Sequence, residues 1–214
     1  FKNSSFATLK IKDAIVDKIK NKTYKRPSIN KENSDIKIFV FIKDNKFKIY
    51  IDSSGRPLFM RGYRSKIHKA SLNECLAAGL VLLSNWDHKS DFYDPMCGSG
   101  TIPIEAAMIA YNIPPGMLRP NFGFQLWDDY DNILWEKIYN ESLSNIKKSN
   151  NVKIYGADNI AKNIELSVNS AKKLSLEKYI KFKVEDFKIF SVNGTSGTVI
   201  VNPPYGIRLG SESK

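Results

Sequence analysis

The sequence predicts an α/β protein built on a parallel sheet, with a small α+β module in front of it. Three observations carry this. Phe92-Tyr93 leads into the turn Asp94-Pro95-Met96-Cys97-Gly98-Ser99-Gly100-Thr101, and a helical stretch over 102–111 follows. Strand, glycine turn and helix then stand in the order of a nucleotide-cofactor site. Two further strand-like runs, 153–157 and 180–185, lead to the acids Asp158 and Asp186. A fourth apolar run, 198–201, opens into Asn202-Pro203-Pro204-Tyr205. Strands alternating with helical segments are the pattern of a parallel sheet.

From the N-terminus, Phe6, Leu9, Ile11, Ala14, Ile15 and Ile19 form an approximate stripe at helical spacing, broken by the polar stretch 21–33 with its Pro27. Residues 36–42 and 47–51 flank Lys43-Asp44-Asn45-Lys46, a β-hairpin signal. Ser53-Ser54-Gly55 marks a turn, and 58–64 a hinge whose Arg61 and Arg64 can pair with carboxylates between the modules or with phosphates. A helix over 72–83 leads into the first strand of the sheet. Beyond the glycine-turn helix lies an insert over 111–151, within which 133–146 reads as an amphipathic helix. Its Phe122, Phe124 and Trp127 follow the turn Ile113-Pro114-Pro115-Gly116 and can either stack on bases or pin a loop to the core. Residues 160–174 form the helix crossing between the second and third strands.

The chain has 214 residues, 42% of them hydrophobic, enough for a substantial core in two modest domains or one large one. No apolar stretch approaches a membrane span; the longest candidate, 76–83, lies inside an amphipathic helical pattern. Cys75 and Cys97 lack metal or redox spacing and His68 and His88 are isolated, so no metal is expected and a reducing, cytoplasmic setting is. Cys97 falls in the glycine turn, where a small buried residue packs well, and is not read as a nucleophile. The net charge of +11 is unevenly spread: residues 1–70 carry 18 Lys+Arg against 6 Asp+Glu, the rest 15 against 16. A basic module joined to a near-neutral one is the footprint of phosphate tracking beside a cofactor site. Lys20, Lys22, Lys25, Arg26, Arg61 and Arg64 are the candidate nucleic-acid contacts.

Gly98 and Gly100 permit backbone conformations and a close ligand approach that a Cβ would block, and the helix after them offers free N–H groups. Asp94 places a negative charge at the strand end. It suits a cationic amino-acid group better than a pyrophosphate, which favours S-adenosylmethionine over a dinucleotide. Asp158 can accept both ribose hydroxyls, and Asp186 the adenine amino group, with Phe187 as an apolar face. Asn202 and Pro203 read as a clamp for a planar amine. The lone pair of such a nitrogen is delocalised until acceptors draw it toward tetrahedral geometry. The Asn202 side-chain oxygen and the Pro203 carbonyl can each take one N–H, Pro203 and Pro204 stiffen the turn, and Tyr205 can stack on the ring.

The glycine turn together with Asn202-Pro203-Pro204-Tyr205-Gly206 resembles the class I, S-adenosylmethionine-dependent RNA guanine-N(2) methyltransferases that carry an N-terminal THUMP domain, the bacterial 23S ribosomal RNA group in particular. The similarity runs from Phe6 through Arg208 and includes Arg61-Gly62-Tyr63-Arg64. It implies a Rossmann-like sheet of order 3-2-1-4 for the part present, the C-terminal part of a THUMP-like domain with its hinge over 1–65, and a methyltransferase domain over 66–214. Because the family's sheet continues with further strands and the chain starts at Phe1, part of a longer protein is expected. The resemblance also implies a cofactor site of Asp94, Pro95, Gly98, Ser99, Gly100, Thr101, Asp158, Asn159, Asp186 and Phe187. It makes Asn202, Pro203, Pro204 and Tyr205 the catalytic set, and structured RNA the substrate, ribosomal RNA before transfer RNA. The far-downstream Asp158 fits this family, whereas a simple dinucleotide fold places its ribose acid about twenty residues past the glycines. Two rivals stay open on the residues alone: methylation of another planar amine, adenine in DNA or glutamine in protein, and an RNA-binding scaffold without catalysis.

Overall fold

The computed structural model describes residues 3–30, 34–44, 46–64, 72–148, 151–192 and 196–203. Its internal contacts divide the chain into two compact units, Phe1–Asp52 and Ser53–Lys214.

The first unit is a helix and a hairpin. Helix α1 (Ser4–Thr23) starts where the Asn3 side chain accepts the Phe6 N–H at 3.1 Å, and ends at Tyr24, whose φ of 58° is left-handed. Strands β1 (Ile38–Lys43) and β2 (Lys46–Ile51) pair antiparallel with Lys43 opposite Lys46. The loop is two residues long, shorter than the four expected, and Asp44 takes the positive φ that such a tight turn demands. One helix leaves much of this ribbon uncovered: Phe39, Phe41, Phe47 and Ile49 are each at least half exposed.

In the second unit α2 (Glu74–Leu83) is capped by Asn73, whose side chain accepts the Cys75 and Leu76 N–H groups. It packs on α3 (Thr101–Ala110), which follows strand β3 (Asp91–Asp94). Then come α4 (Asn132–Ser144), β4 (Ile154–Asp158), α5 (Ala161–Lys172), β5 (Ile180–Val184) and β6 (Gly197–Val199). The four strands are parallel in the order β5-β4-β3-β6, which is 3-2-1-4 counted along the chain, as the resemblance implies. Phe92, Ile154 and Ile180 stand in register across three strands, all buried, and form the sheet's side of the core with Ile104 and Leu176. Each such side chain contributes roughly 1.5–3 kcal/mol by leaving water. Helix α3 is buried on nearly every side because its sequence is apolar apart from Thr101 and Glu105, and Pro103 is tolerated in its first turn, where an N–H has no helical partner to lose. At the β6 edge only glycine fits position 197, since a Cβ would come within 2.7 Å of the Tyr93 ring.

The aromatic side chains of the insert serve packing. Phe122 and Phe124 stack at 5.6 Å, and both meet Trp135 of α4 edge-on at 5.3 and 5.2 Å. Next to them Arg119 binds the strap that enters this unit. Its guanidinium donates to the carbonyls of Ser54, Arg56, Pro57 and Met60, while the Phe124 N–H donates to Ser53. A planar fork of five donors suits a row of carbonyls. The division therefore falls at Asp52, earlier than the boundary near 65 read from sequence, because residues 53–64 are bound to the second unit. Among the described residues no helix is long and apolar enough to cross a membrane.

Candidate functional site

Parallel pairing brings the carboxyl ends of all four strands to one edge. There β3 ends at Asp94, β4 at Asp158, Asp186 follows β5 by two residues, and Asn202 follows β6 by three. This edge is where ligands bind in open α/β sheets.

The glycine turn is fixed from three directions. The Cys97 N–H donates to the Ala157 carbonyl at 2.8 Å, and the Gly98 N–H donates to Asp158 Oδ2 at 3.0 Å. On α5, the Ser167 hydroxyl shares its one proton between the Gly98 carbonyl at 3.0 Å and the Asn163 carbonyl at 2.9 Å. Gly98 and Gly100 both have positive φ, 54° and 77°. They need glycine for different reasons: a Cβ at Gly100 would lie 2.8 Å from Ser167 Cβ, whereas one at Gly98 would meet nothing within 4 Å. Gly98 thus faces open space, as a turn that receives a ligand must.

Asp94 is 1% exposed, and its carboxylate accepts the Met96 N–H at 3.2 Å. Burial pushes its pKa up to about 7; the Met96 N–H opposes this and the charge of Asp158 adds to it. A buried carboxylate so placed favours a cationic group. Burial also pushes the Cys97 thiol well above its usual range, assisted by the charges of Asp94 and Asp158, which removes its nucleophilic character.

Asp158 is more occupied than its sequence role suggests. Besides Gly98 it accepts the Ile160 N–H at 2.9 Å and the Asn163 side-chain amide at 3.0 Å. A carboxylate has about four acceptor sites. Three are taken within the protein, so the expectation of two ribose hydroxyls on Asp158 is corrected to room for about one. Asn159 beside it is exposed. Asp186 is half-buried with Oδ1 accepting the Lys188 N–H, and Phe187 is 52% exposed, an apolar face at the third strand end. Pro95 and Ser99 are half-buried in the turn, and Thr101 is buried as the first residue of α3. Asn202 is half-buried and Pro203 exposed; Pro204 and Tyr205 lie outside the described residues. Sequence reasoning missed Asn163 and Ser167. Their spacing of four residues, just past the β4 acid, puts both on one helix face toward the turn and was the available signal.

Of the basic candidates, Lys20, Lys22, Lys25 and Arg26 are exposed around the end of α1. Tyr24, 92% exposed, stands among them and was not singled out from sequence. Arg61 and Arg64 are a correction. Their side chains are 11% and 8% exposed, paired with Glu105 at 3.5 Å and Glu74 at 3.4 Å. The Tyr63 hydroxyl donates to Glu105 at 3.0 Å. Burial raises the Glu105 pKa, and Arg61 and Tyr63 work against that rise. Guanidiniums held by buried carboxylates are not presented to phosphates. Among the described residues no three His, Cys, Asp or Glu side chains gather as a metal would require.

A family model described as an RMKL-like methyltransferase domain matches residues 61–214, and the THUMP domain model matches residues 1–52. The ribosomal RNA large subunit methyltransferase K/L of Psychromonas ingrahamii is 40% identical over an alignment 217 positions long that covers 99% of this chain and 29% of that protein. Among solved structures, SMU.472, assigned as a methyltransferase and complexed with SAH, has a TM-score of 0.83 at 36% identity, covering 94% of this chain and 53% of its own. A protein of Listeria monocytogenes assigned as an N6-adenine-specific DNA methylase has a TM-score of 0.83 at 37% identity, covering 94% and 53%. The chain spans less than a third of that curated relative and about half of each solved chain.

Proposed function

The chain belongs to the RMKL-like methyltransferase domain family, with a THUMP domain ahead of it, and from that premise we propose that it methylates the exocyclic N2 amine of a guanine in structured RNA, with S-adenosylmethionine as cofactor. Ribosomal RNA of the large subunit is the first substrate and transfer RNA the second, in a cytoplasmic setting. The observation that carries the reading is the single edge at which Asp94, Asp158, Asp186 and Asn202 collect.

When bound, S-adenosylmethionine supplies an electrophilic methyl group on a sulfonium. The open turn at Gly98 would take its amino-acid end, Asp94 would hold the ammonium, and Asp186 and Phe187 would hold the adenine. Asn202 Oδ1 and the Pro203 carbonyl each accept one N–H of the target amine, which localises the lone pair for in-line attack. An amine held this way would form its N–C bond as the cofactor's S–C bond breaks, with the neutral thioether as leaving group. The surplus proton of the amine passes to Asn202, the Pro203 carbonyl or water. A paired guanine must first leave its stack, and Tyr205 is the ring that receives it in this reading. Nucleoside mass spectrometry of RNA treated with the whole protein tests the reaction. N2-methylguanosine is expected; N6-methyladenosine would overturn the guanine assignment in favour of the chemistry named for the Listeria protein, and no methylated nucleoside would favour a scaffold.

The basic first unit is the RNA-tracking part. Affinity should fall steeply with salt, and changing Lys20, Lys22, Lys25 and Arg26 to Glu should flatten the log–log slope by about 0.7–0.9 for each phosphate no longer neutralised. Binding titrations at several salt concentrations check this. A wild-type slope near zero would leave the charge asymmetry without an RNA role.

A further inference from the structure

Arg64 lies outside the strand-end site, yet its guanidinium reaches the first residue of the cofactor helix. It donates to the Thr101 hydroxyl and, at 2.6 Å, to the Leu72 carbonyl, with Glu74 at 3.4 Å on its other side. All three side chains are buried: Arg64 8%, Glu74 7% and Thr101 4% exposed.

The placement runs against simple electrostatics. A helix N-terminus carries partial positive charge and repels cations. An arginine is held there because Glu74 neutralises it and the Thr101 and Leu72 oxygens both accept from one of its terminal nitrogens, while its Nε lies 3.4 Å from Glu74 without a hydrogen bond. Helix α3 begins at Gly100 with no side-chain cap, so the Arg64–Thr101 hydrogen bond anchors its first residue through the Thr101 hydroxyl and leaves the free N–H groups untouched. On the α5 side, Ser167 holds the Gly98 carbonyl and Asp158 holds the Gly98 N–H. On the other side, Arg64 on Thr101 completes the support.

We propose that Arg64 is a positioning residue for cofactor binding, which holds the start of α3 so that the Gly98 turn and Asp94 keep the geometry that receives the cofactor. This rests on the cofactor reading above. Arg64 touches neither cofactor nor amine and acts through Thr101. A lysine keeps the charge but cannot reach Thr101, Leu72 and Glu74 with one planar fork.

The test uses the whole protein and SAH as the probe. Arg64→Lys and Thr101→Val should each weaken SAH binding about tenfold or more by calorimetry, the scale of one charge-assisted hydrogen bond. The double variant should be no weaker than the worse single variant, because both changes remove the same hydrogen bond. At saturating cofactor the single-turnover rate of Arg64→Lys should stay within about twofold of wild type, so the change appears in the cofactor KM. Thr101→Val probes the same hydrogen bond should Arg64→Lys not fold. Unchanged SAH affinity in both single variants overturns the proposal. Additive losses accompanied by a fall in kcat also overturn it, in favour of a merely structural role. Failure of the wild-type protein to bind SAH would instead overturn the cofactor reading beneath it.

Discussion

Replacing Asn202 with alanine should slow single-turnover methyl transfer about a hundred- to a thousandfold and leave SAH affinity within about twofold. The magnitude is that of deleting one preorganised electrostatic partner of a transition state. Asn202 is half-buried three residues beyond β6. The Ile200 N–H still donates to the Tyr93 carbonyl at 3.0 Å, so the chain enters the proline turn tied to the strand that ends in Asp94. An acceptor on a backbone held this way is aimed before the amine arrives. Alanine removes the acceptor without changing the strand or the cofactor turn, so the loss falls on the chemical step. Single-turnover transfer at saturating cofactor and RNA isolates that step from product release. If Asn202→Ala keeps the wild-type rate, Asn202-Pro203 is a rigid turn and the clamp fails.

The sheet and its ligand edge were legible in the sequence because they depend on local signals. Apolar runs of strand length, glycines at positive φ and acids at strand ends can be read along the chain, and parallel pairing then brings them together without further information. Asp94, Gly98, Asp158 and Asp186 all meet at that edge for this reason. What the sequence concealed depends on contacts between distant segments. Arg61 and Arg64 can pair with carboxylates or with phosphates as far as the sequence goes; the buried Glu105 and Glu74, with Tyr63 and Thr101, decide for carboxylates, and these lie in the same unit rather than between the modules. Arg119 gave no signal at all, since four backbone carbonyls some sixty residues upstream define its role. Asp158 stands at the end of β4, but nothing local in the sequence says that Gly98 and Asn163 already use its oxygens. Phe122 and Phe124 were ambiguous for the same reason until Trp135 of α4 was found against both rings.

Asp94→Asn should weaken SAH binding and strengthen the cofactor-free fold. The Asp94 carboxyl has its pKa raised from 3.8 to about 7, first by burial and then by the charge of Asp158. Such a group contributes stability that is fully present below its unfolded pKa and is lost as pH rises through the folded value near 7. At pH 8 the native protein therefore holds an ionised, desolvated carboxylate at a cost of up to about 4 kcal/mol. Asparagine has nearly the same shape and still accepts from the Met96 N–H, so it removes that cost and should raise Tm at pH 8 but not at pH 4. Cofactor binding should respond oppositely. An ammonium requires the ionised carboxylate, so wild-type SAH affinity should rise more than tenfold between pH 5.5 and 7, in proportion to the ionised fraction. Calorimetry in two buffers of different ionisation heat should report a proton released on binding near pH 6. The variant should bind roughly 10- to 100-fold more weakly at pH 7 through loss of a charge-assisted hydrogen bond, and its affinity should be flat over the same range. A wild-type affinity that does not change with pH would show that Asp94 does not face the ammonium, and a variant less stable than wild type at pH 8 would show that its charge is compensated within the fold.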